Sequence, residues 1–415
     1  MLPLRDPGLH RRHEGGDGGI SGEEEAHLPG SVTLQRLRLT GFRNLQDGTL
    51  EFPEEGVAVV GPNAQGKSNL LEAIYYLEIF RSFRGTREDR IVRFGAEHFR
   101  VEGRLVGDGE GGEGEAAGDA APRTLTVAAA FVKAGRVKKV TLDGREPPRI
   151  ADAIGRVGAV LFTPEDVRLV SDGPQERRRF LDILLSINVP GYLDALQRYR
   201  QALAQRNAAL REGRGGASVG AWDPLLVEAG ARVGWIRARW IRDGAPTFRS
   251  VYAQVSGEEE ASLEYVPSVP VGGEATEDEV ASTFHRILSE GADAERRRGT
   301  TLSGPHRDEL RMVLHPGTGQ ERDLREYGSG GQRRTAALAL RLLEAETISG
   351  RRRRAPLLLL DDIFAELDET RSERVMELME RTAVGQVILT APKESELRFR
   401  SDRLPHWTVR EGVVA

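Results

Sequence analysis

The sequence predicts an α/β nucleotide-binding domain interrupted by a mostly helical insertion. Three stretches of its 415 residues carry that reading. Gly61 to Ser68 reads Gly-Pro-Asn-Ala-Gln-Gly-Lys-Ser. It stands between an apolar run, Val57 to Val60, and a helix-like pattern with Leu70, Leu71, Ile74 and Leu77 on one side. That is the strand–loop–helix setting of a phosphate-binding loop. Leu357 to Leu360 is a second apolar run and ends in Asp361-Asp362. Between these two half-sites the text is dominated by helical patterns.

Taken in order, residues 1–30 are rich in Gly, His and Glu without periodicity and are expected to be a disordered extension outside the fold. Strand-like text opens at Ser31, with Val32, Leu34, Leu37 and Leu39, and reaches a turn at Gly41-Phe42-Arg43-Asn44. Leu50 to Phe52 precedes the phosphate-loop strand. Arg100 to Val106, Leu125 to Val132 and Val137 to Leu142 alternate as strands do. Residues 107–122 form an acidic, Gly-rich loop between the first two of these. Helices follow at Arg178 to Ile187, Tyr192 to Leu210 and Leu225 to Ile241, and helical text continues to about Arg298. Leu310 to Leu314 reads as a strand, Gly330 to Ala345 as a helix, Thr370 to Arg381 as another, and Gln386 to Thr390 as the last strand. The expected division is residues 31–175 and 301–415 for one nucleotide-binding lobe and 176–300 for a helical second lobe.

Composition bounds the function. The absence of cysteine excludes disulfides, thiolate metal sites and cysteine nucleophiles. No apolar run approaches the roughly 20 residues that span a bilayer, and no charged-then-apolar signal opens the chain. The expectation is a cytoplasmic protein with no membrane partner. The net charge of −5 is unevenly spread. Residues 1–30 carry −3 and residues 107–122 carry −5, so the remainder carries +3 and leaves room for basic patches.

The phosphate loop explains its own composition. Gly61 and Gly66 let backbone N–H groups curl around an anion, and the following helix N-terminus adds partial positive charge. Lys67 reaches the β/γ-phosphates and Ser68 ligates Mg²⁺. Only five of the 59 basic residues are lysine, yet lysine stands where a compact point charge is wanted. Asp361, at the C-terminal end of its strand, faces the ligand crevice and can hold Mg²⁺ through water. Asp362 has two readings: it polarises an attacking water, or it caps a helix or supports a neighbour. Ser329-Gly330-Gly331-Gln332 opens a helix 29 residues before Asp361, counted from Gln332. By itself it reads as an N-cap. Followed by a small-residue helix and then the Asp-Asp strand, it reads as a second anion-binding terminus.

This order of phosphate loop, Ser-Gly-Gly-Gln, Asp strand and Leu367-Asp368 resembles the ABC-type ATPases. More narrowly, the chain resembles the RecF family of bacterial recombination mediators, relatives of the SMC heads, over about residues 31–398. The resemblance rests on Phe42-Arg43-Asn44-Leu45, Asn63 to Ile74, Arg81-Ser82-Phe83-Arg84, Phe162 to Asp166, Arg177 to Asp182, Ser303 to Asp308 and Asp361 to Asp368. It implies an ABC-ATPase-like fold with an SMC-head-like first lobe. It implies ATP and Mg²⁺ as cofactors and an ATP-dependent homodimer with two nucleotides sandwiched between subunits. Each nucleotide would touch Gly61, Pro62, Asn63, Ala64, Gln65, Gly66, Lys67, Ser68 and Asn69 of one subunit. Ser329, Gly331 and Gln332 would come from the other, and Arg43 and Asn44 from the first turn. Lys67, Ser329, Asp361 and Asp362 would carry catalysis, with Ser68 and Asp361 at the metal. It further implies clamping of DNA at single-strand gaps and duplex junctions, work with RecO and RecR to load RecA, and slow hydrolysis that releases the clamp. There are departures from the ABC pattern. Asp362 stands where transporters carry Glu. Thr390-Ala391-Pro392 stands where they carry the switch histidine. Glu165 or Asp166 replaces the glutamine after the lobe junction.

Four patches have open readings. Arg351 to Arg354 is a solvated loop or a DNA contact. Arg81, Arg84, Arg87 and Arg90, with Phe83 among them, are DNA-binding or structural. Arg177 to Arg179 pairs with acidic neighbours or serves DNA. His306 is a base or part of a hydrogen-bonded turn. Competing functions fare less well. A full SMC protein needs long heptad arms, which the text between Lys67 and Asp361, 294 residues further on, does not contain. A transporter subunit is disfavoured by the missing histidine, and a metabolite kinase by the Ser-Gly-Gly-Gln signature.

Overall fold

Two six-stranded sheets hold one helix between them. The computed structural model describes residues 30–107, 123–213, 216–257, 259–317, 319–352, 354–364, 367–381, 385–397 and 403–415. The expected extension (1–29), most of the acidic loop (108–122), Arg353, Ala365 and Glu366 lie outside the described residues. The first sheet runs β11-β1-β4-β5-β6, with β2 paired to β1. Its strands are β1 (Gly30–Thr40), β2 (Gly48–Glu51), β4 (His98–Gly107), β5 (Arg123–Val132), β6 (Val137–Leu142) and the short β11 (Arg354–Ala355). The second runs β15-β14-β3-β13-β12-β7. It holds β3 (Gly56–Val60), β7 (Ala159–Phe162), β12 (Leu357–Asp361), β13 (Val387–Ala391), β14 (His406–Arg410) and β15 (Val413–Val414). Helix α1 (Lys67–Ile79) packs on strands of both sheets.

The second sheet explains why its strands read as unbroken apolar runs. Leu358 and Leu360 point into one core while Leu357 and Leu359 point into the other. Likewise Ala58, Val160 and Leu389 face one core, and Val59, Leu161 and Ile388 the other. A sheet buried on both faces needs apolar residues at every position, because successive side chains alternate sides. Each fully buried leucine contributes about 1.5–3 kcal/mol of burial.

The inserted block is helical but not wholly so. It contains α2 (Arg168–Ser171), α3 (Pro174–Asn188), α4 (Tyr192–Arg211), α5 (Gly216–Gly220), α6 (Asp223–Ser256) and α7 (Glu277–Arg298). Strand β8 (Glu260–Val266) pairs antiparallel with β9 (Glu309–His315), and β10 (Arg322–Asp323) completes a small third sheet. Helix α6 continues 15 residues past the expected end at Ile241, through Pro246. Phe248, Val251, Tyr252 and Val255 extend the same buried stripe as Ile236 and Ile241, and that packing outweighs the roughly 3 kcal/mol cost of an internal proline. The chain closes with α8 (Leu324–Tyr327), α9 (Gly330–Arg352), α10 (Glu369–Arg381) and the β14–β15 hairpin. Gln386 to Thr390 is therefore not the last strand. Among the described residues no helix is long and apolar enough to cross a membrane.

Candidate nucleotide site

Parallel register brings the two sequence half-sites to one edge. Asp361 pairs with Thr390, Thr390 with Val59, Ala391 with Val60, and Leu360 with Phe162. The C-terminal ends of β3, β13, β12 and β7 thus emerge together, where a parallel sheet opens its ligand crevice.

The loop between β3 and α1 is shaped as a cradle. Gly61 and Gly66 are buried while Pro62, Asn63 and Ala64 form an exposed crest. Gly66 takes φ +123°, and a Cβ there would press within 3.2 Å of Leu45 and Asn44, so only glycine suits the position. Lys67 is buried and its Nζ donates to Gly61 O at 2.5 Å and Pro62 O at 3.1 Å. A third ammonium proton remains for a phosphate oxygen. Burial pulls the Lys67 pKa below that of an ordinary lysine, opposed by the charges of Asp362 and Asp361.

Ser68 Oγ donates to Asp361 Oδ1 at 2.9 Å, across 293 residues of sequence. Thr390 Oγ1 donates to the same oxygen at 2.8 Å. Burial raises the Asp361 pKa, and these two hydroxyls oppose the rise. Thr390, the first residue of the Thr390-Ala391-Pro392 segment, is therefore bonded directly to the aspartate. Asp362 follows at φ +52°, a left-handed conformation rare for a non-glycine residue and concentrated at functional sites. Its N–H donates to Thr390 O at 3.3 Å.

The first turn abuts the loop. Asn44 Nδ2 donates to Gln65 O at 3.2 Å, and Asn69 Nδ2 donates to Asn44 Oδ1 at 2.8 Å. Arg43 turns instead onto Glu72 of α1, with Nε and Nη2 at 3.0 and 2.8 Å from its two oxygens. Ser82 also donates to Glu72, and Arg84 bridges Asn69 to the same carboxylate. Glu72 organises these cations and escaped the sequence reading. So did the C-terminal hairpin: Glu411 N donates to Gln65 Oε1 at 2.6 Å and Gly412 N to Gln65 O at 2.9 Å. A Cβ on Gly412 would fall 1.8 Å from Asn44 O. The signal was available in the alternation of His406 to Arg410 followed by a Glu-Gly turn.

Ser329, Gly331 and Gln332 lie apart from this cluster. Ser329 is exposed and forms a capping box with Gln332: Gln332 N donates to Ser329 Oγ at 3.2 Å, and Ser329 N donates to Gln332 Oε1 at 2.8 Å. Gln332 Nε2 donates to Glu259 Oε1, and Arg371 lies over Gly331. Among the described residues, neither Ser329 nor Gln332 hydrogen-bonds to the chain's own phosphate loop. The serine hydroxyl accepts in the cap and keeps its proton to donate elsewhere.

The ambiguous residues separate as well. Asp166 is buried, accepts from Arg341 Nη2 at 2.6 Å and from Thr163 N at 2.8 Å, and is thereby bolted to helix α9. Glu165 is exposed, and its charge acts on Asp361. His306 packs against helix α4, between Tyr199 OH (2.6 Å) and Thr301 O (3.3 Å), and burial pushes its pKa down to about 4. Arg177 forks onto Glu309. Arg351 and Arg352 donate to the carbonyls of Ile187 and Gly155.

A phosphate loop and an aspartate strand on one sheet edge, with a small-residue helix start displayed elsewhere, define the class of phosphate-loop ATPase heads. The family described as "RecF/RecN/SMC N terminal domain" matches residues 33–413. A DNA replication and repair protein RecF from Salinibacter ruber is 34% identical over 369 residues, 87% of this chain and 85% of the relative. That of Halalkalibacterium halodurans is 33% identical over 389 residues, 92% of this chain and 96% of the relative. The structure of the recombination mediator protein RecF with ATP superposes with a TM-score of 0.82 at 28% identity, covering 94% of this chain and 99% of that one. A Smc head domain from Pyrococcus furiosus shares the fold, with a TM-score of 0.53 at 19% identity over 92% of this chain and 95% of that one. The chain belongs to the RecF family of DNA replication and repair proteins.

Proposed function

We propose that the chain is an ATP-switched DNA clamp that acts in recombinational repair with RecR and RecO. ATP would lie on Gly61 to Asn69, with Lys67 at the β/γ-phosphates and Asn44 beside the loop. The donor set fits Mg²⁺: the Ser68 hydroxyl and Asp361 carboxylate are hard oxygens 2.9 Å apart. Among the described residues no group of three or more His, Cys, Asp or Glu could hold a metal alone. Two protein oxygens completed by nucleotide phosphates and water is the usual Mg²⁺ arrangement. Bound there, the ion neutralises charge developing on the phosphates.

The observation that carries the dimer reading is the division of the site. Ser329 is exposed, its hydroxyl accepts from Gln332 N without bonding to the phosphate loop of its own chain, and it has a donor proton to spare. A second copy can bring that hydroxyl, Gly331 and Gln332 to the γ-phosphate. ATP then selects the closed dimer because both subunits bind its charge. Asp362 is the group for the attacking water, and its short side chain fits a slow timer. Closure on gapped or junction DNA favours loading of RecA, and hydrolysis opens the clamp. The first test is Lys67→Met, which removes the loop's point charge. We expect loss of ATP binding in equilibrium dialysis, and retained affinity overturns the phosphate-loop assignment.

A further inference from the structure

One end of the first sheet, where the chain enters β4 and where β5 turns into β6, carries basic side chains and an exposed aromatic ring. Residues 81–98 and 132–140 hold nine basic and three acidic side chains, in a chain whose net charge is −5. Lys133 and Lys138 lie there, Lys139 turns to the opposite side of β6 onto Glu146, and arginine recurs at every third position from Arg81 to Arg93. The fold makes the two segments one surface. Lys138 of β6 donates to Phe80 O and, at 3.0 Å, to Glu88. The turn at Arg93 is tied to the β5–β6 hairpin by Lys133 N to Glu97 O (2.9 Å) and Lys133 Nζ to Ala96 O (2.8 Å). Arg93 N donates to Gly41 O, and its guanidinium to Leu45 O and Asp47. The surface therefore continues into the first turn, whose Asn44 touches the phosphate loop.

At its crest Phe94 is fully exposed, more so than any other large apolar side chain among the described residues. Val132 and Val137, paired across the hairpin, are exposed beside Lys133 and Arg136. Folding gains nothing from a phenylalanine held in water, and a turn of this kind is ordinarily filled by Asp, Asn, Ser or Gly. A lone exposed apolar residue needs no explanation. A ring set among cations is the pairing that nucleic acid exploits, with phosphates on the charges and a base on the ring. A closed duplex hides its base faces in the stack. A single strand, a gap edge or a duplex end exposes one.

We propose that this surface is a nucleic-acid contact in which Phe94 stacks on an unpaired or terminal base while Lys133, Arg136 and the exposed Arg87 and Arg90 hold the adjoining phosphates. The proposal rests on the DNA-binding reading above and names the part of the surface that would distinguish gapped from continuous DNA. The test uses the full chain with ATP and three probes: a covalently closed duplex circle, a single strand, and a gapped duplex with 2-aminopurine at the gap edge. Phe94→Ala is expected to weaken the single strand and the gapped duplex roughly 5- to 100-fold. It should leave the closed circle, ATP affinity and thermal transition unchanged. Phe94→Trp should restore binding and the 2-aminopurine signal. Lys133→Ala with Arg136→Ala should weaken all three probes and lower the salt slope by about two. Equal binding of all probes by Phe94→Ala and the parent overturns the proposal while leaving DNA binding intact. Loss of the ATP-dependent dimer in Phe94→Ala also overturns it and makes the face an interface between copies. Failure of the parent chain to bind any probe overturns the underlying reading instead.

Discussion

Removing Glu72 should unfasten the first turn from the phosphate-loop helix. Its carboxylate is fully buried and accepts from Arg43 at 3.0 and 2.8 Å and from Ser82 at 2.5 Å, with Arg84 at 3.6 Å. In Glu72→Ala the Arg43 guanidinium, 17% exposed, loses its partner in a largely dry setting. Breaking a buried pair from one side costs about 3–5 kcal/mol. Arg43 recovers some water, so the lower end, about 3 kcal/mol, applies. At roughly 2–4 °C per kcal/mol for a domain of 150–250 residues, the transition of the nucleotide-binding lobe should fall by roughly 6–12 °C. Glu51→Ala is the control. It deletes a pair with Arg36 whose members are 50% and 59% exposed, and half-exposed pairs contribute less than about 1 kcal/mol. Differential scanning fluorimetry with and without ATP reads both effects. Glu72→Ala should also shrink the ATP-induced upward shift, because Arg84 and Asn69 lose their anchor beside the loop. A Glu72→Ala transition indistinguishable from the parent would mean that Glu72 does not fasten the first turn to α1.

Two further outcomes are expected. Asp362→Asn should keep ATP binding and prolong the nucleotide-bound dimer on DNA, and unchanged single-turnover hydrolysis removes Asp362 from catalysis. His306 supplies a pH dependence. Its folded pKa of about 4 lies below the ordinary 6.5, so between those values the unfolded chain binds the extra proton. Stability is then full above pH 6.5 and declines as pH falls toward 4, by about 3 kcal/mol in all. Urea denaturation from pH 4.5 to 7.5 should show that slope in the parent and a flatter one in His306→Gln, and parallel slopes contradict the assignment.

The sequence was most legible where chemistry dictates residue type. Gly66 is required by its backbone angle, Lys67 by its charge, and the leucines of β12 by burial on both faces. The phosphate loop and Asp361 could be read for that reason, although only the fold shows Ser68 and Asp361 bonded across 293 residues. What escaped depended on partners remote in sequence. Glu72 is one of two acids in an apolar helix, and its cations come from 29 residues before and from 12 residues after. Strand β7 is four apolar residues with no period to detect. Helix α6 passes a proline because residues beyond it find a core. Thr390 gained meaning only when β13 was placed beside β12. That Arg341 of α9 reaches across to hold Asp166 could be seen only in the fold.

If a complete nucleotide site takes two copies of the chain, as proposed, Ser329→Arg separates dimerisation from ATP binding. The new side chain would stand at the exposed start of α9, where Ser329 makes no bond to the phosphate loop of its own subunit. Multi-angle light scattering with ATP and gapped DNA should find the parent as a dimer. Ser329→Arg should remain a monomer that binds ATP with the parent's affinity. An ATP-dependent dimer formed by Ser329→Arg would contradict the account.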